Sequence, residues 1–159
     1  MIEAYSNIVP LVKPEYRPSK SLLNPYWIAG FVQADGTFGL KYVKANRKLG
    51  YSCQALFRVT QHERDLIVLE RIINTLGCGN VNGPYSGRDR YDISFSSIKY
   101  VSNIIIPFFK NYPLYGAKSL DFQSFCQGVS IIEKGGHLTQ EGLDKLKLLA
   151  YSMNTYRKF

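Results

Sequence analysis

Trp27-Ile28-Ala29-Gly30-Phe31-Val32-Gln33-Ala34-Asp35-Gly36 is the stretch on which the reading of the whole chain turns. It has the pattern of an apolar, small-residue helix that carries one carboxylate, Asp35, to its C-terminal end and stops at Gly36. Asn24-Pro25 supplies the start signal: a capping side chain, then proline at the first helical position, where a missing N–H costs nothing. Gly30 and Ala34 fall on one helical face and would let another backbone approach closely. A carboxylate in the last turn opposes the negative end of the helix dipole, so it needs compensation. A bound divalent cation is one candidate. By residue type alone, the segment also reads as a core helix followed by a turn.

Beyond Gly36 the period changes to two, the mark of half-buried strands. Over residues 37–45, Phe38, Leu40 and Tyr42 fall on one face, with Gly39, Lys41 and Val43 on the other. Over residues 52–61, Cys53, Ala55, Phe57 and Val59 alternate with Ser52, Gln54, Leu56, Arg58 and Thr60. Asn46-Arg47-Lys48-Leu49-Gly50 reads as the hairpin tip between them. Helical spacing returns at residues 63–76 and is closed by Gly77. A second strand pair is expected at residues 79–85 and 90–96, joined through Ser86-Gly87-Arg88-Asp89. A helix from Ser97 is interrupted at Pro107. Another is expected over residues 119–134, and Thr139 caps a last one running to about Met153. The order is α-β-β-α-β-β-α with extra C-terminal helices, an α+β class, in one domain over residues 24–159. Residues 1–23 contain Pro10, Pro14 and Pro18 without sustained periodicity and read as a linker-like extension.

The formal charge is +8 over 159 residues, which points to a polyanionic partner. Lys41, Lys44, Arg47, Lys48 and Arg58 lie between Thr37 and Gln61 with no acid among them. The basic balance alone leaves ribosomal, membrane-surface and nucleic-acid roles open. Two amphipathic hairpins with one apolar and one basic face form a sheet suited to lying on something anionic. Its polar face interleaves these cations with Gly39, Val43, Ser52, Gln54 and Leu56. The second pair adds Asn80, Asn82, Arg88, Arg90, Asp92 and Ser94. Arginine suits guanine in the major groove, glutamine or asparagine suits adenine, and aspartate suits cytosine. Cys53, Cys78 and Cys126 are odd in number and lack a CxxC spacing, so neither a disulfide framework nor a zinc site is expected. No apolar run is long enough to span a membrane, and no signal peptide is expected.

The string Ile28-Ala29-Gly30-Phe31-Val32-Gln33-Ala34-Asp35-Gly36 resembles the signature of the LAGLIDADG homing endonucleases, Leu-Ala-Gly-Leu-Ile-Asp-Ala-Asp-Gly. Gln33 stands in place of the first acid, and Asp35 matches the second. The resemblance implies the αββαββα fold of that family, with a curved antiparallel sheet that binds double-stranded DNA. It implies Asp35 as principal metal ligand, with the backbone carbonyl of Ala34 as a further one. Phe57-Arg58-Val59-Thr60-Gln61 resembles the end of the family's second strand, which implies that Gln61 positions water or metal. Gly116-Ala117-Lys118 resembles the loop presenting the family's active-site lysine, which implies that role for Lys118. His62 reads instead as a structural, helix-entry residue.

One copy of the signature implies a homodimer whose two signature helices pack through Trp27, Gly30, Phe31 and Ala34. The proline-rich start also resembles the connector of double-motif members, so the second half of a longer enzyme is an alternative reading. The implied cofactor is Mg²⁺ or Mn²⁺, with Ca²⁺ supporting binding without cleavage. The implied product is a double-strand break with short 3′ overhangs. The implied origin is a mitochondrial or other organellar intron. An RNA maturase and a non-cleaving DNA-binding protein share the fold and are the alternatives.

Overall fold

Residues 21–85 and 87–156 are described by the computed structural model of the chain. Most of the linker-like stretch lies outside them. Its last residues dock on the body: the Leu23 N–H donates to Thr75 Oγ1 (2.9 Å), and the Arg71 guanidinium donates to the Ser21 carbonyl (3.1 Å).

Helix α1 (Pro25–Asp35) starts as its sequence dictates, with Asn24 Oδ1 accepting from the Tyr26 N–H at 2.9 Å. It passes into strand β1 (Gly36–Lys44) with no intervening residue. Gly36 makes this corner possible. Its backbone is ordinary extended, but an added Cβ would lie 2.7 Å from the Val32 carbonyl oxygen. Close approach, rather than backbone freedom, therefore demands glycine there.

Strand β1 pairs antiparallel with β2 (Tyr51–His62), placing Phe38 opposite Phe57 and Lys41 opposite Gln54. A short 3₁₀ turn, Glu63–Asp65, leads into α2 (Leu66–Leu76), which buries Leu69, Ile72 and Leu76. Gly77 closes it in the left-handed conformation, its N–H donating to the Ile73 carbonyl. Strands β3 (Val81–Asn82) and β4 (Arg90–Phe95) complete a four-stranded antiparallel sheet in the order β1-β2-β4-β3. The expected alternation appears in full on β1 and β2, whose Phe38, Leu40, Cys53, Ala55, Phe57 and Val59 face the core.

Three elements depart from the sequence-based expectation. Strand β3 is far shorter than residues 79–85, because Gly79 (φ 105°) and Gly83 (φ 124°) turn the chain at both ends. Pro107 does not interrupt its helix. Helix α3 (Ile98–Tyr100), a π-helical turn (Val101–Ile105) and α4 (Ile106–Asn111) run on as one rod. The looser turn lies just upstream of the residue that lacks an N–H and crowds the preceding carbonyls. Helix α5 (Gly116–Glu133) begins three residues earlier than expected. Helix α6 (Gln140–Tyr151) is capped by Thr139 Oγ1, which accepts from the Gly142 N–H at 3.1 Å.

Helices α4, α5 and α6 close over the sheet around Phe38, which is fully buried. Its ring lies 4.9 to 5.3 Å from those of Phe57, Phe109, Phe122 and Phe125. Beyond α6, Asn154 pins the C-terminal end to the same strand, its Nδ2 donating to the Phe38 carbonyl at 2.9 Å.

Cys53, Cys78 and Cys126 are all free thiols. Burial pushes Cys53 and Cys126 up to about 11 from the ordinary 9.0. Both are therefore neutral and poorly nucleophilic near pH 8. Alkylation of the folded protein by iodoacetamide at pH 8 is expected to spare both until denaturant is added. Because the folded protein holds these protons more tightly, the thiols' contribution to stability is fully present below pH 9 and lost as pH rises through about 11. Full labelling of Cys53 in the native protein at pH 8 would contradict this burial.

Candidate active site and nucleic-acid interface

Register builds the site. Strand β1 begins at Gly36 opposite Val59, so β2 overhangs it by Thr60, Gln61 and His62. That overhang reaches the last turn of α1. There Gln61 Nε2 donates to Asp35 Oδ2 at 2.8 Å. The half-buried Lys118 in the first turn of α5 donates from Nζ to the carbonyl of Gly36, the residue next to Asp35, at 2.5 Å. The three residues singled out as catalytic thus meet at one corner, although 82 residues separate Gly36 from Lys118. Lys110 lies in the last turn of α4.

An open cleft of about 280 Å³ lies at this corner, lined by Asp35, Thr60, Gln61, His62 and Arg90. Thr60 and Arg90 are additions to the expected constellation. Arg90 stands opposite His62 across the β2–β4 ladder, a pairing visible only once the register is known. His62 closes the strand as a cap, its Nδ1 accepting from the Arg64 N–H at 3.2 Å.

Asp35 is exposed, so its carboxylate is reachable from the cleft. The oxygens a metal here could take are hard ones: the Asp35 carboxylate and, as the resemblance implies, the neighbouring Ala34 carbonyl. That chemistry suits Mg²⁺, Mn²⁺ or Ca²⁺ and not a soft ion. Among the described residues, no three His, Cys, Asp or Glu side chains gather to complete a cage. One chain therefore offers a partial, oxygen-only ligand set.

The polar face of the sheet runs away from the cleft. Lys41, Val43, Lys44, Arg47, Lys48, Gln54, Arg58, Asn80, Arg88 and Arg90 are exposed. Gly39, Ser52, Leu56, Asn82 and Ser94 are partly covered. Asp92 departs from expectation. Expected to face a base, it is only 2% exposed, covered by side chains from its own surface. The Tyr85 hydroxyl donates to its carboxylate, Asn82 Nδ2 lies 3.3 Å away, and Arg58 Nε lies at 3.8 Å. The hydrogen bond to Asp92 holds the Tyr85 hydroxyl above its ordinary pKa. Asp92 therefore organises neighbouring side chains and is not itself presented to a partner.

The residues expected at a helix-pairing surface share an uncovered face of α1. Trp27 is 45% exposed and stacks on the half-buried Phe31 at 5.1 Å. Gly30 and Ala34 are exposed, and a Cβ added to Gly30 would meet nothing within 4 Å.

The LAGLIDADG endonuclease family profile matches residues 28–129. "Probable intron-encoded endonuclease 3" of Neurospora crassa is 32% identical over 145 residues, covering 91% of this chain and 27% of its own length. A cox1 intron-2 protein of Schizosaccharomyces pombe, itself uncharacterized, is 32% identical over 132 residues, covering 81% of this chain and 38% of its own. Among solved structures, the LAGLIDADG homing endonuclease I-SmaMI bound to cleaved DNA has a TM-score of 0.90 at 33% identity. The match covers 99% of this chain and 52% of that one. I-SmaMI bound to uncleaved DNA with calcium ions gives a TM-score of 0.88 at 33% identity, over 96% of this chain and 52% of that one. The chain thus spans roughly a quarter to a half of the proteins it matches. With its signature helix, its four-stranded antiparallel sheet and this family match, the chain belongs to the LAGLIDADG homing endonucleases.

Proposed function

We propose that the chain is one αββαββα unit of a site-specific homing endonuclease that hydrolyses both strands of a long DNA target with a divalent metal ion. The convergence of Asp35, Gln61 and Lys118 on one corner carries this reading. DNA-bound relatives of the same fold support it.

Asp35 and the Ala34 carbonyl would hold the metal, Mg²⁺ or Mn²⁺ for cleavage, with Ca²⁺ supporting binding alone. A bound ion of this kind lowers the pKa of water and offsets charge on the phosphate oxygens. Gln61 fixes the Asp35 carboxylate through its amide donor. Lys118 has three donors and uses one on Gly36, so the rest of its ammonium can meet a phosphate. The exposed cations of the sheet contact the backbone, and Gln54, Asn80 and Arg58 read bases.

A single unit brings one carboxylate, and the matched enzymes are longer chains. We assign the uncovered face of α1, with Trp27, Gly30, Phe31 and Ala34, to pairing with a second unit. That unit is another copy of this chain, or the other half of a longer protein. A relative encoded in a cox1 intron and another in an ND4 intron support a mitochondrial origin.

The test is selection from a random double-stranded DNA library in Ca²⁺, a switch to Mg²⁺, and sequencing of the released ends. A recovered site cut on both strands with short 3′ overhangs is the expected result, near-palindromic if the unit acts as a homodimer. Enrichment with no cutting in Mg²⁺ or Mn²⁺ would overturn the nuclease reading in favour of a binding role.

A further inference from the structure

Gln33 stands where the family signature has its first acid, and the structure gives this amide a specific task. Gln33 Nε2 donates to the Tyr115 carbonyl at 3.1 Å, and the Tyr115 N–H donates to Gln33 Oε1 at 3.0 Å. Both backbone groups of one residue are thereby held by one side chain from 82 residues away. Tyr115 is the N-cap residue of α5, and Lys118 sits in the turn that follows. The helix start is therefore fastened twice, to α1 by the Gln33 clasp and to the first residue of β1 by the Lys118 bond to Gly36. The cap residue's own side chain makes no capping hydrogen bond, and Gly116 opens the helix at φ 55°. Local capping thus contributes little to fixing this end, and the clasp supplies the constraint.

We propose that Gln33 is a positioning residue that sets Lys118 over the Asp35–Gly36 corner. The inference rests on the nuclease reading for its catalytic consequence, but not for its geometric one. An amide suits the task because it donates and accepts at once. An ionised carboxylate only accepts. Gln33→Glu therefore keeps a partner for the Tyr115 N–H, loses the donor to the Tyr115 carbonyl and places two oxygens against each other. Gln33→Ala loses both bonds. Gln33 is not among the residues lining the Asp35 cleft, so target binding in Ca²⁺ should be little changed.

The test has two arms, both on the full chain. In the first, folded protein is pulse-acylated with a lysine reagent and read by mass spectrometry, with exposed Lys110 as internal standard. Lys118 labelling is expected to rise several-fold in Gln33→Ala and Gln33→Glu while Lys110 labelling stays constant. Equal Lys118 labelling in all three proteins would overturn the proposal whatever the activity. In the second arm, single-turnover cleavage is measured on the selected target. Either Gln33 variant is expected to lose about 10- to 100-fold in rate, with little change in affinity. In a Lys118→Ala background, Gln33→Ala should cost almost nothing more, because the residue acts through the lysine. A full, additive loss in that background would overturn the proposal while leaving the nuclease reading intact. Wild-type protein that never cuts, together with the labelling change, would sink the nuclease reading and keep the clasp.

Discussion

Replacing Asp35 by asparagine is expected to abolish cleavage, by on the order of 10³-fold or more, while target binding in Ca²⁺ persists. The side chain keeps an oxygen that can accept from Gln61 Nε2, so the corner keeps its shape. What disappears is the negative charge that would hold the metal. The same substitution is expected to stabilise the fold slightly, because the carboxylate sits in the last turn of α1 and opposes its dipole. An exposed charge in that position costs about 0.3–1 kcal/mol, which corresponds to roughly 1–3 °C in Tm for a chain of this size. A dead but slightly more stable variant is the signature of a residue retained for chemistry. Asp35→Asn protein that cuts at the wild-type rate would remove Asp35 from the mechanism.

Phe38→Ala is expected to be the most damaging change in the core, at about 3–5 kcal/mol. Phe38 is fully buried and lies at the centre of rings from β2, α4 and α5. Its removal leaves a cavity that three separate elements would have to fill together. Measured by urea denaturation, the loss would consume much of the roughly 5–15 kcal/mol that such a domain possesses. Phe38→Leu should cost clearly less, since it keeps most of the buried volume. A cost below about 1 kcal/mol for the alanine variant would mean that the helices do not close around this ring.

Features encoded by near neighbours were legible in the sequence. Asn24-Pro25 set the start of α1, Thr139 the start of α6, and Gly77 the end of α2. Period-two alternation placed every core residue of β1 and β2 on the correct face. Features decided by distant neighbours were not. Gly79 and Gly83 look like ordinary strand glycines until Phe95 and Arg90 are seen crowding them. Asp92 alternates as an outward residue, yet Tyr85 folds over it from the adjoining loop. The pairing of Gln33 with Tyr115 has no local trace. Thr60 and Arg90 join the cleft through an overhang that depends on register, and register becomes visible only when strands are paired.

The strict alternation along β1 and β2 also separates two kinds of inheritance. Lys41 faces Gln54, and Thr37 faces Arg58, in the column open to solvent. Leu40 faces Ala55, and Phe38 faces Phe57, in the column that holds the molecule together. Each residue of one column is flanked in sequence by residues of the other, yet the two meet different surroundings. On the proposed reading, drift in the outer column alters what the sheet meets at little cost to folding, and drift in the inner column does the reverse. Single substitutions in the outer column leave Phe38, Leu40, Ala55 and Phe57 in place, so the surface can change while the core it rests on does not.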